Sequence, residues 1–293
     1  MKHFSGFVNI IGNPNVGKST LMNLLVGESL SIITPKAQTT RRSIRGIVNG
    51  EDFQIVFTDT PGILKPNYLL QENMMKFVNT AMEDADVILF VTSINDHFTD
   101  EEFIQKLNSV KIPIILIINK IDLTTQEKLE SLADNWRMRI KNLKQIIPVS
   151  ALAKFNVETV IGTITKFLPE SPAYFPPGEL TDLSQRFFIS EMIREKVFIN
   201  YQKEIPYATE IIIESFKEEE TIVRIRAVIY VERESQKGII LGHKGEAIKR
   251  VGIQSRKDME KFLGKKVFLE MFVKVKEDWR NNKNVMREFG YDE

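Results

Sequence analysis

The sequence predicts a mostly parallel, doubly wound α/β domain with one antiparallel edge strand, followed by a smaller α+β domain. Three observations support this fold class. Apolar runs of strand length alternate with helical stretches up to about residue 168, a proline-rich segment then interrupts the pattern, and strands and helices follow in a different order. With 293 residues, 43% of them hydrophobic, the chain can bury one large core and still supply a second domain of about one hundred residues.

The first domain is predicted from its alternation of strands and helices. Only Gly50, Glu51 and Asp52 separate the second strand from the third, and so short a connection cannot cross between parallel strands. That pair is therefore predicted to be an antiparallel hairpin at one edge of the sheet. The predicted strands cover residues 7–11, 44–49, 53–58, 87–91, 112–118 and 145–149. The predicted helices begin near Lys18 and then cover 72–84, 99–109, 124–141 and 155–168.

A proline-rich segment marks the domain boundary. Residues 169–177 contain four prolines, which cannot continue a helix and favour an extended, semi-rigid chain. We therefore predict a first domain at 1–170, a linker at 171–180 and a second domain at 181–293.

The second domain is predicted to have the order helix, two strands, helix, loop, helix and strand. Its strands alternate apolar and polar residues, which is typical of half-buried strands. The tail at 277–283 is predicted to form a short amphipathic helix, and Trp279 is expected to pack on the domain core rather than to stack on a base. The predicted helices start near 183 and 239 and the last runs to about 262, and the strands cover 210–216, 221–231 and 266–275.

Composition excludes several classes of function. The formal net charge is +1, so a nucleic acid or a membrane would have to be bound by a local patch rather than by the field of the whole chain. The absence of cysteine excludes disulfides, thiolate metal sites and cysteine nucleophiles. The N-terminus lacks a signal-peptide pattern, and no apolar run approaches the ~20 residues that a membrane-spanning helix needs. We expect a soluble, cytoplasmic monomer.

The loop after the first strand carries the pattern GxxxxGKS. Its glycines allow successive backbone N–H groups and the N-terminus of the next helix to face phosphate oxygens. Lys18 would add a positive charge for the β- and γ-phosphates, and the Ser19 hydroxyl would bind Mg²⁺. The predicted phosphate site comprises Gly12, Asn13, Pro14, Asn15, Val16, Gly17, Lys18, Ser19 and Thr20.

A second motif, Asn119-Lys120-Ile121-Asp122, identifies the base of the nucleotide. It follows the strand at 112–118 and so lies at a carboxyl end, where open α/β sheets bind ligands. The Asp122 carboxylate can accept two hydrogen bonds from the N1–H and N2–H₂ edge of guanine, whereas adenine offers no such pair of donors. The motif therefore predicts a guanine nucleotide.

Two further segments follow strands in the same way. Asp59-Thr60-Pro61-Gly62 ends the third strand, where Asp59 can hold Mg²⁺ through water and the Gly62 N–H can sense a γ-phosphate. Ser150-Ala151-Leu152 follows the last strand and could offer the Ala151 N–H to guanine O6. Both patterns are common by chance, and they support a nucleotide site only because they follow the other two motifs in this order along the chain.

These four motifs in this order, GNPNVGKS, DTPG, NKID and SAL, resemble the G domain of translation-factor-related GTPases. The segment Lys36-Ala37-Gln38-Thr39-Thr40-Arg41-Arg42 is similar to a switch I with a TTR signature. The resemblance places the Mg²⁺-binding, γ-phosphate-sensing threonine at Thr40, with Thr39 as the alternative. It implies catalytic roles for Lys18, Thr40 and Gly62, and Mg²⁺ ligation by Ser19, Thr40 and Asp59.

One position departs from the Ras pattern. Ile63 follows DTPG where Ras-like proteins have a glutamine that orients the attacking water, so that something else must position the water. Asn15 matches the asparagine that helps to coordinate K⁺ near the β- and γ-phosphates in K⁺-activated relatives. Arg41, Arg42 and Arg45 are alternative contributors. We expect slow intrinsic turnover.

The loop Gly242-His243-Lys244-Gly245 lies between two predicted helices, and the order of elements around it resembles a type II KH domain. In that domain the GxxG loop clamps the backbone of about four nucleotides. The glycines let phosphates approach backbone N–H groups, and residues 237–283 hold 13 Lys and Arg against 6 Asp and Glu. The residues predicted to bind single-stranded RNA are Gly242, His243, Lys244, Gly245, Lys249 and Arg250.

A G domain joined by a short linker to a C-terminal KH domain resembles the Era family of bacterial GTPases over nearly the whole chain, through KAQTTR, DTPG, NKID and LGHKG. The resemblance implies a GTP/GDP- and Mg²⁺-dependent factor that binds the 3′ end of 16S rRNA, acts in 30S ribosomal subunit assembly and associates reversibly with the cytoplasmic membrane. Two alternatives stay open. One is a signalling GTPase whose C-terminal domain binds protein or membrane, and the other is a nucleotide-gated RNA binder that does not hydrolyse GTP.

Overall fold

The structure is a computed structural model that describes residues 2–291. These residues group into two compact units, and the proline-rich linker predicted at 171–180 groups with the first of them. The first unit holds the residues up to Lys65 together with Met74–Asp182, and the second holds Pro66–Asn73 together with the residues from Leu183 onward.

Six strands build one sheet in the described part of the first unit. They are β1 (Phe4–Ile11), β2 (Ile44–Asn49), β3 (Phe53–Asp59), β4 (Val87–Ser93), β5 (Ile114–Asn119) and β6 (Leu143–Pro148). Helices lie between them or follow them: α1 (Lys18–Val26), α2 (Leu69–Glu83), α3 (Glu101–Ser109), α4 (Gln126–Arg139) and α5 (Val157–Ile164). The first residues of α2, up to Asn73, group with the second unit. The strand order is β2-β3-β1-β4-β5-β6, and only the β2–β3 pair is antiparallel. The predicted fold class and its antiparallel edge strand are confirmed.

The central strands are buried on both faces, as a parallel sheet covered by helices requires. Every residue of β5 is buried, and Phe90 of β4 packs edge-to-face on Trp136 of α4 and on Phe98, with ring centroids 5.3 and 5.4 Å apart. This packing holds the carboxyl ends of the strands, and therefore the loops that follow them, in fixed positions.

Some element boundaries differ from the predictions for local reasons. Helix α3 begins at Glu101 rather than at residue 99, because the Asp100 carboxylate caps it by accepting a hydrogen bond from the Phe103 N–H at 3.0 Å. Strand β5 begins at Ile114 rather than at residue 112, and the residue before it is Pro113, which has no N–H to donate to the ladder.

The linker is bound beside the antiparallel edge of the first sheet, in part through the buried amide of Gln54 in β3. Its Oε1 accepts hydrogen bonds from the N–H groups of Tyr174 (2.8 Å) and Phe175 (3.0 Å), and its Nε2 donates to the Phe175 carbonyl at 2.9 Å. Further along, the Ile47 N–H of β2 donates to the Leu180 carbonyl at 2.9 Å. The linker is therefore an extra layer at this edge rather than a free spacer.

The second unit consists of a three-stranded sheet and helices in its described residues. The strands are β7 (Glu210–Glu218), β8 (Ile222–Val231) and β9 (Lys266–Val275), and the helices are α6 (Gln185–Asn200), α7 (Glu234–Leu241), α8 (Glu246–Leu263) and α9 (Lys283–Glu288). β8 pairs antiparallel with β7 and parallel with β9. The predicted order of elements is confirmed. Within residues 2–291, no helix is both long enough and apolar enough to cross a membrane.

The C-terminal segment is an integral part of this unit. Trp279 is fully buried, and its indole N–H donates to the Ala208 carbonyl at 2.9 Å. Tyr291 is also buried, and its hydroxyl donates to the Glu210 carboxylate at 2.7 Å. The tail predicted as an amphipathic helix at 277–283 instead forms a 3₁₀ turn over Trp279–Asn281, followed by α9.

The role of Gln54 can be tested by amide hydrogen exchange. Gln54→Ala should speed exchange at the Tyr174 and Phe175 amides, because both lose their acceptor, and should lower the free energy of unfolding by about 1–3 kcal/mol. Asn49→Ala is the matched control, since it removes only an acceptor of the Gln54 Nε2 group. Unchanged protection of both amides in Gln54→Ala would contradict this account of the linker.

Candidate functional sites

The GxxxxGKS loop joins the buried end of β1 to α1 and coils its backbone around the Lys18 side chain. Lys18 is buried, and its ammonium group donates to the carbonyls of Gly12 and Asn13, both at 2.9 Å. Gly17 adopts a left-handed conformation (φ 99°), and a Cβ atom there would lie 2.2 Å from the Asn119 amide nitrogen. The loop therefore needs glycine at this position for both backbone and packing reasons.

Burial of Lys18 changes its acidity. Desolvation lowers the pKa of Lys18 to about 8, against the opposing influence of the Asp59 and Asp96 carboxylates. Desolvation likewise raises the pKa of Asp59, although Lys18 and neighbouring hydroxyl groups favour its charged form. The loop thus holds a cation whose charge is incompletely compensated, which is a suitable arrangement for an incoming polyanion.

Three oxygen-bearing side chains meet beside this cation. The Ser19 hydroxyl donates to Asp59 Oδ2 at 2.6 Å and lies 3.0 Å from Thr40 Oγ1, which is itself 3.4 Å from Asp59 Oδ2. Asp59 Oδ1 is buried and accepts no hydrogen bond from any residue that the structure describes. Hydroxyl and carboxylate oxygens are the ligands that Mg²⁺ prefers, so these three residues fit that ion.

The two candidate threonines of the switch I segment differ in their surroundings. Thr39 Oγ1 lies 2.6 Å from Thr34 Oγ1 and donates to the Lys36 carbonyl at 2.7 Å, so its hydrogen bonds stabilise its own loop. Thr40 points instead to Ser19 and Asp59. The geometry therefore favours Thr40 over Thr39 as the metal ligand.

Asn119 connects the loops expected around the base. Its amide group donates to the Val16 carbonyl at 2.8 Å, and its Oδ1 accepts from the N–H groups of Lys120 (2.8 Å) and Ala151 (3.0 Å). The Ala151 N–H is thus already engaged, and a guanine oxygen would have to share it. The Asp122 carboxylate accepts from the Ser150 hydroxyl at 2.6 Å.

The remaining residues of these motifs frame the site. The Lys120 ammonium group donates to the Asn15 carbonyl at 2.6 Å, and Asn15 itself is exposed with a left-handed backbone (φ 62°). The Thr60 hydroxyl donates to the Ile10 carbonyl at 2.8 Å, which is a structural role. Ile121 is partly buried against the core, and Leu152 is largely exposed.

The backbone of DTPG lies directly against the first loop. The Ile63 N–H donates to the Gly12 carbonyl at 3.1 Å, and a Cβ atom on Gly62 would lie 2.7 Å from the Pro14 backbone nitrogen. The Ile63 side chain is buried in the hydrophobic core, where it has no group that could orient a water molecule. Of the arginines considered, Arg45 forms an ion pair with Asp182 at 2.8 Å and Arg41 is buried.

Sequence reasoning missed one residue of this site, Asp96. Its carboxylate accepts hydrogen bonds from the Asn13 amide at 2.8 Å and from the Thr92 hydroxyl at 3.0 Å. Its negative charge also raises the pKa of Lys18, against the larger effect of desolvation. Asp96 follows β4 at the carboxyl edge of the sheet. The strand-end rule that identified Asp59 and Asn119 could therefore have found it.

The GxxG loop of the second unit joins α7 to α8. Gly242 (φ 70°), Lys244 (φ 49°) and Gly245 (φ 80°) all have positive φ, and the loop ends at the N-terminus of α8, where backbone N–H groups attract anions. A Cβ atom on Gly242 would lie 2.6 Å from that of Ala247. The predicted phosphate-binding side chains of His243, Lys244, Lys249 and Arg250 are exposed.

Comparison with protein families supports both halves of this description. Residues 7–120 match the model of the 50S ribosome-binding GTPase family, and residues 204–280 match the model of the KH domain. The fold and the sites therefore define a P-loop GTPase that carries a C-terminal KH domain.

Full-length relatives specify the family. The chain is 43% identical over 295 aligned positions to the GTPase Era of Staphylococcus haemolyticus and to that of Staphylococcus epidermidis, with 100% of this chain and 98% of each relative covered. A crystal structure of Era with MgGDPNP and nucleotides 1506–1542 of 16S ribosomal RNA and one of Aquifex aeolicus Era with GDP·AlF₄⁻ each match with a TM-score of 0.94, at 38% identity and 99% coverage of both chains. The chain belongs to the Era family of GTPases.

The acidity of Lys18 predicts a pH dependence of nucleotide binding. Its pKa of about 8 lies below the usual value, so free protein loses this positive charge as the pH rises through 8, whereas phosphates favour the charged form. GDP affinity should therefore fall by about tenfold between pH 7 and pH 9, with proton uptake on binding near pH 8. Calorimetry in buffers of different ionisation enthalpy measures both quantities.

Lys18→Arg provides the control for this measurement. A guanidinium group stays charged throughout this pH range, so the proton uptake at pH 8 should disappear in that variant. Equal proton uptake in both proteins would assign the titration to another group.

Proposed function

We propose that this chain hydrolyses GTP and binds the 3′ end of 16S rRNA during assembly of the 30S subunit, with the bound nucleotide controlling RNA affinity. The observation that carries the proposal is the joint presence of the Ser19, Thr40 and Asp59 oxygens beside Lys18 and of an exposed GxxG loop in the second unit. A relative of the same architecture was crystallised with MgGDPNP and with nucleotides 1506–1542 of 16S ribosomal RNA.

In the first unit the proposed roles follow from position. Lys18 and the backbone N–H groups of the P-loop bind the phosphates, and Asp122 binds the guanine edge while Asn119 holds the surrounding loops together. Ser19, Thr40 and Asp59 would hold Mg²⁺ through their hydroxyl and carboxylate oxygens. An ion held there would neutralise negative charge on the phosphate oxygens.

The attacking water needs a partner other than Ile63, whose side chain is buried in the core. We propose that K⁺ bound beside Asn15 supplies this stabilisation, because Asn15 is exposed on the loop that surrounds the phosphates. Switch I residues act as ligands of the metal rather than of the water. Slow turnover is expected without the monovalent ion.

The cation hypothesis is tested by turnover in KCl and in NaCl at equal ionic strength. Turnover should be higher in K⁺, and Asn15→Ala should abolish the difference while GDP affinity stays within a few-fold of the parent protein. Equal turnover in both salts would reject K⁺ activation and leave a switch I group or a partner to position the water.

In the second unit the GxxG loop is proposed to hold phosphates of single-stranded RNA. Backbone N–H groups at the start of α8 and the side chains of His243, Lys244, Lys249 and Arg250 supply donors and positive charge. We place the protein in the cytoplasm and infer reversible association with the inner face of the cell membrane from the family alone.

The proposed coupling is tested by fluorescence anisotropy with a labelled RNA copy of the 16S 3′ end and a scrambled control. RNA affinity should be sequence-selective and higher in the presence of a non-hydrolysable GTP analogue than in GDP. Lys18→Ala should abolish this nucleotide dependence, and replacing His243 and Lys244 by Asp should weaken RNA binding by at least tenfold in both states. Equal, weak binding of both RNAs in both states would favour a protein-binding role for the second unit.

A further inference from the structure

The sheet of the second unit has two faces, and the helices and the C-terminal segment cover them unequally. Odd-numbered residues of β8 and β9, such as Ile225 and Leu269, join the hydrophobic core, so the even-numbered residues point to the opposite face. The C-terminal segment covers one end of that face. Tyr230 stacks on Phe289 with ring centroids 5.1 Å apart, and Val228 beside it is fully buried.

The other end of the same face is open and carries two aromatic rings. Phe268 and Phe272 of β9 are 47% and 45% exposed, and both lie on this face of the same strand. An arginine of β8 lies over each ring: the guanidinium carbon of Arg224 is 5.4 Å from the Phe268 centroid, and that of Arg226 is 5.5 Å from the Phe272 centroid. We call these four residues the Arg–Phe face.

The charge of the surrounding strand residues indicates what this face binds. The exposed residues of β7, β8 and β9 include five basic side chains against two acidic ones, Glu214 and Glu218, and the partly buried Glu270 lies between Phe268 and Phe272 along β9. Lys274 pairs with Glu214 at 2.7 Å. Arg224 and Arg226 each pair with a single carboxylate, those of Glu219 (2.9 Å) and Glu270 (3.4 Å). Exposed ion pairs of this kind are weak and can be exchanged for another anion. The exposed basic residues of these three strands are Lys217, Arg224, Arg226, Lys266 and Lys274.

We propose that the Arg–Phe face binds a second stretch of single-stranded RNA, separate from the stretch held by the GxxG loop. The proposal rests on the RNA-binding function proposed above. Exposed rings on a sheet can stack on bases, and neighbouring guanidinium groups can bind the phosphates between them. Phe268 and Phe272 lie four residues apart on one strand, about 13 Å, so they would receive two separate bases.

The contribution of the two rings to RNA binding can be tested by substitution without disturbing the core, because both side chains are about half exposed. Replacing Phe268 and Phe272 together by Leu keeps an apolar surface but removes the aromatic faces, whereas replacing both by Tyr keeps them. In the full-length protein, affinity for an RNA copy of 16S nucleotides 1506–1542 should fall at least tenfold in the Leu variant and stay within about threefold in the Tyr variant. GTP turnover and thermal unfolding should match the parent protein in both.

Photocrosslinking locates the contact directly. With 4-thiouridine in the same RNA, crosslinked peptides of the parent protein should include Phe268 or Phe272, and this crosslink should disappear in the Leu variant. The inference is overturned if the Leu variant binds RNA as the parent does, or if the Tyr variant loses as much affinity as the Leu variant.

Two control arms separate this inference from its alternatives. If the His243→Asp/Lys244→Asp variant retains full RNA affinity, the proposed RNA-binding function itself fails, whereas loss of affinity in that variant with no effect of the Leu variant rejects the Arg–Phe face alone. Flotation with vesicles of phosphatidylcholine and 30% phosphatidylglycerol tests a lipid occupant. Vesicle binding that the Leu variant loses, with RNA affinity unchanged, would assign the face to a membrane surface instead.

Discussion

The buried side chain of Asn119 is the constraint on which the nucleotide site depends. Its three hydrogen bonds join the P-loop, through Val16, to the backbone of Lys120 and to the loop that contains Ala151. These loops follow different strands and are far apart in sequence, so that no local interaction could set their spacing. Because breaking any one of these bonds would leave a buried polar group without a partner, each of the three loops is held against Asn119. Phosphate and base recognition are thereby built on one rigid framework.

The nucleotide site contains a buried cation, Lys18, and a buried carboxylate, Asp59, whose charges the neighbouring residues compensate only in part. Lys18 is buried against backbone carbonyls, and Asp59 has one buried oxygen without a donor among the described residues. Isolated buried charges are unfavourable, which is consistent with the altered pKa values of both groups. A polyanion beside Lys18 and a divalent cation beside Asp59 would correct both imbalances at once. Thr40 reaches the same cluster from the switch I segment, so the position of that segment would depend on the same ligands.

The sequence predicted most of this architecture because its strongest signals are local. Apolar runs defined the strands, and glycine-rich or carboxylate-bearing segments at strand ends placed Lys18, Asp59 and Asn119 correctly at one edge of the sheet. Long-range hydrogen bonds were not predictable in this way. Gln54 hydrogen-bonds linker residues about 120 positions away, and nothing in its own strand distinguishes it from any other buried polar residue. Asp96 lies just after the end of β4, as Asp59 lies at the end of β3, but without a surrounding motif its position alone did not single it out.

The C-terminal segment of the second unit covers part of its sheet and leaves another part of the same face exposed. The match to the KH family model ends at residue 280, yet Phe289 and Tyr291 are buried in the described structure, and Tyr291 hydrogen-bonds Glu210 at the start of β7. The tail therefore completes the domain rather than trailing from it. Its Phe289 ring packs on Tyr230 of β8, whereas Phe268 and Phe272 of β9 stay about half exposed on the same face of the sheet. Because the two rings lie on one strand and an arginine of the neighbouring strand lies over each, they form one continuous patch rather than two scattered exposed residues, and such a patch offers a ligand both aromatic surface and positive charge.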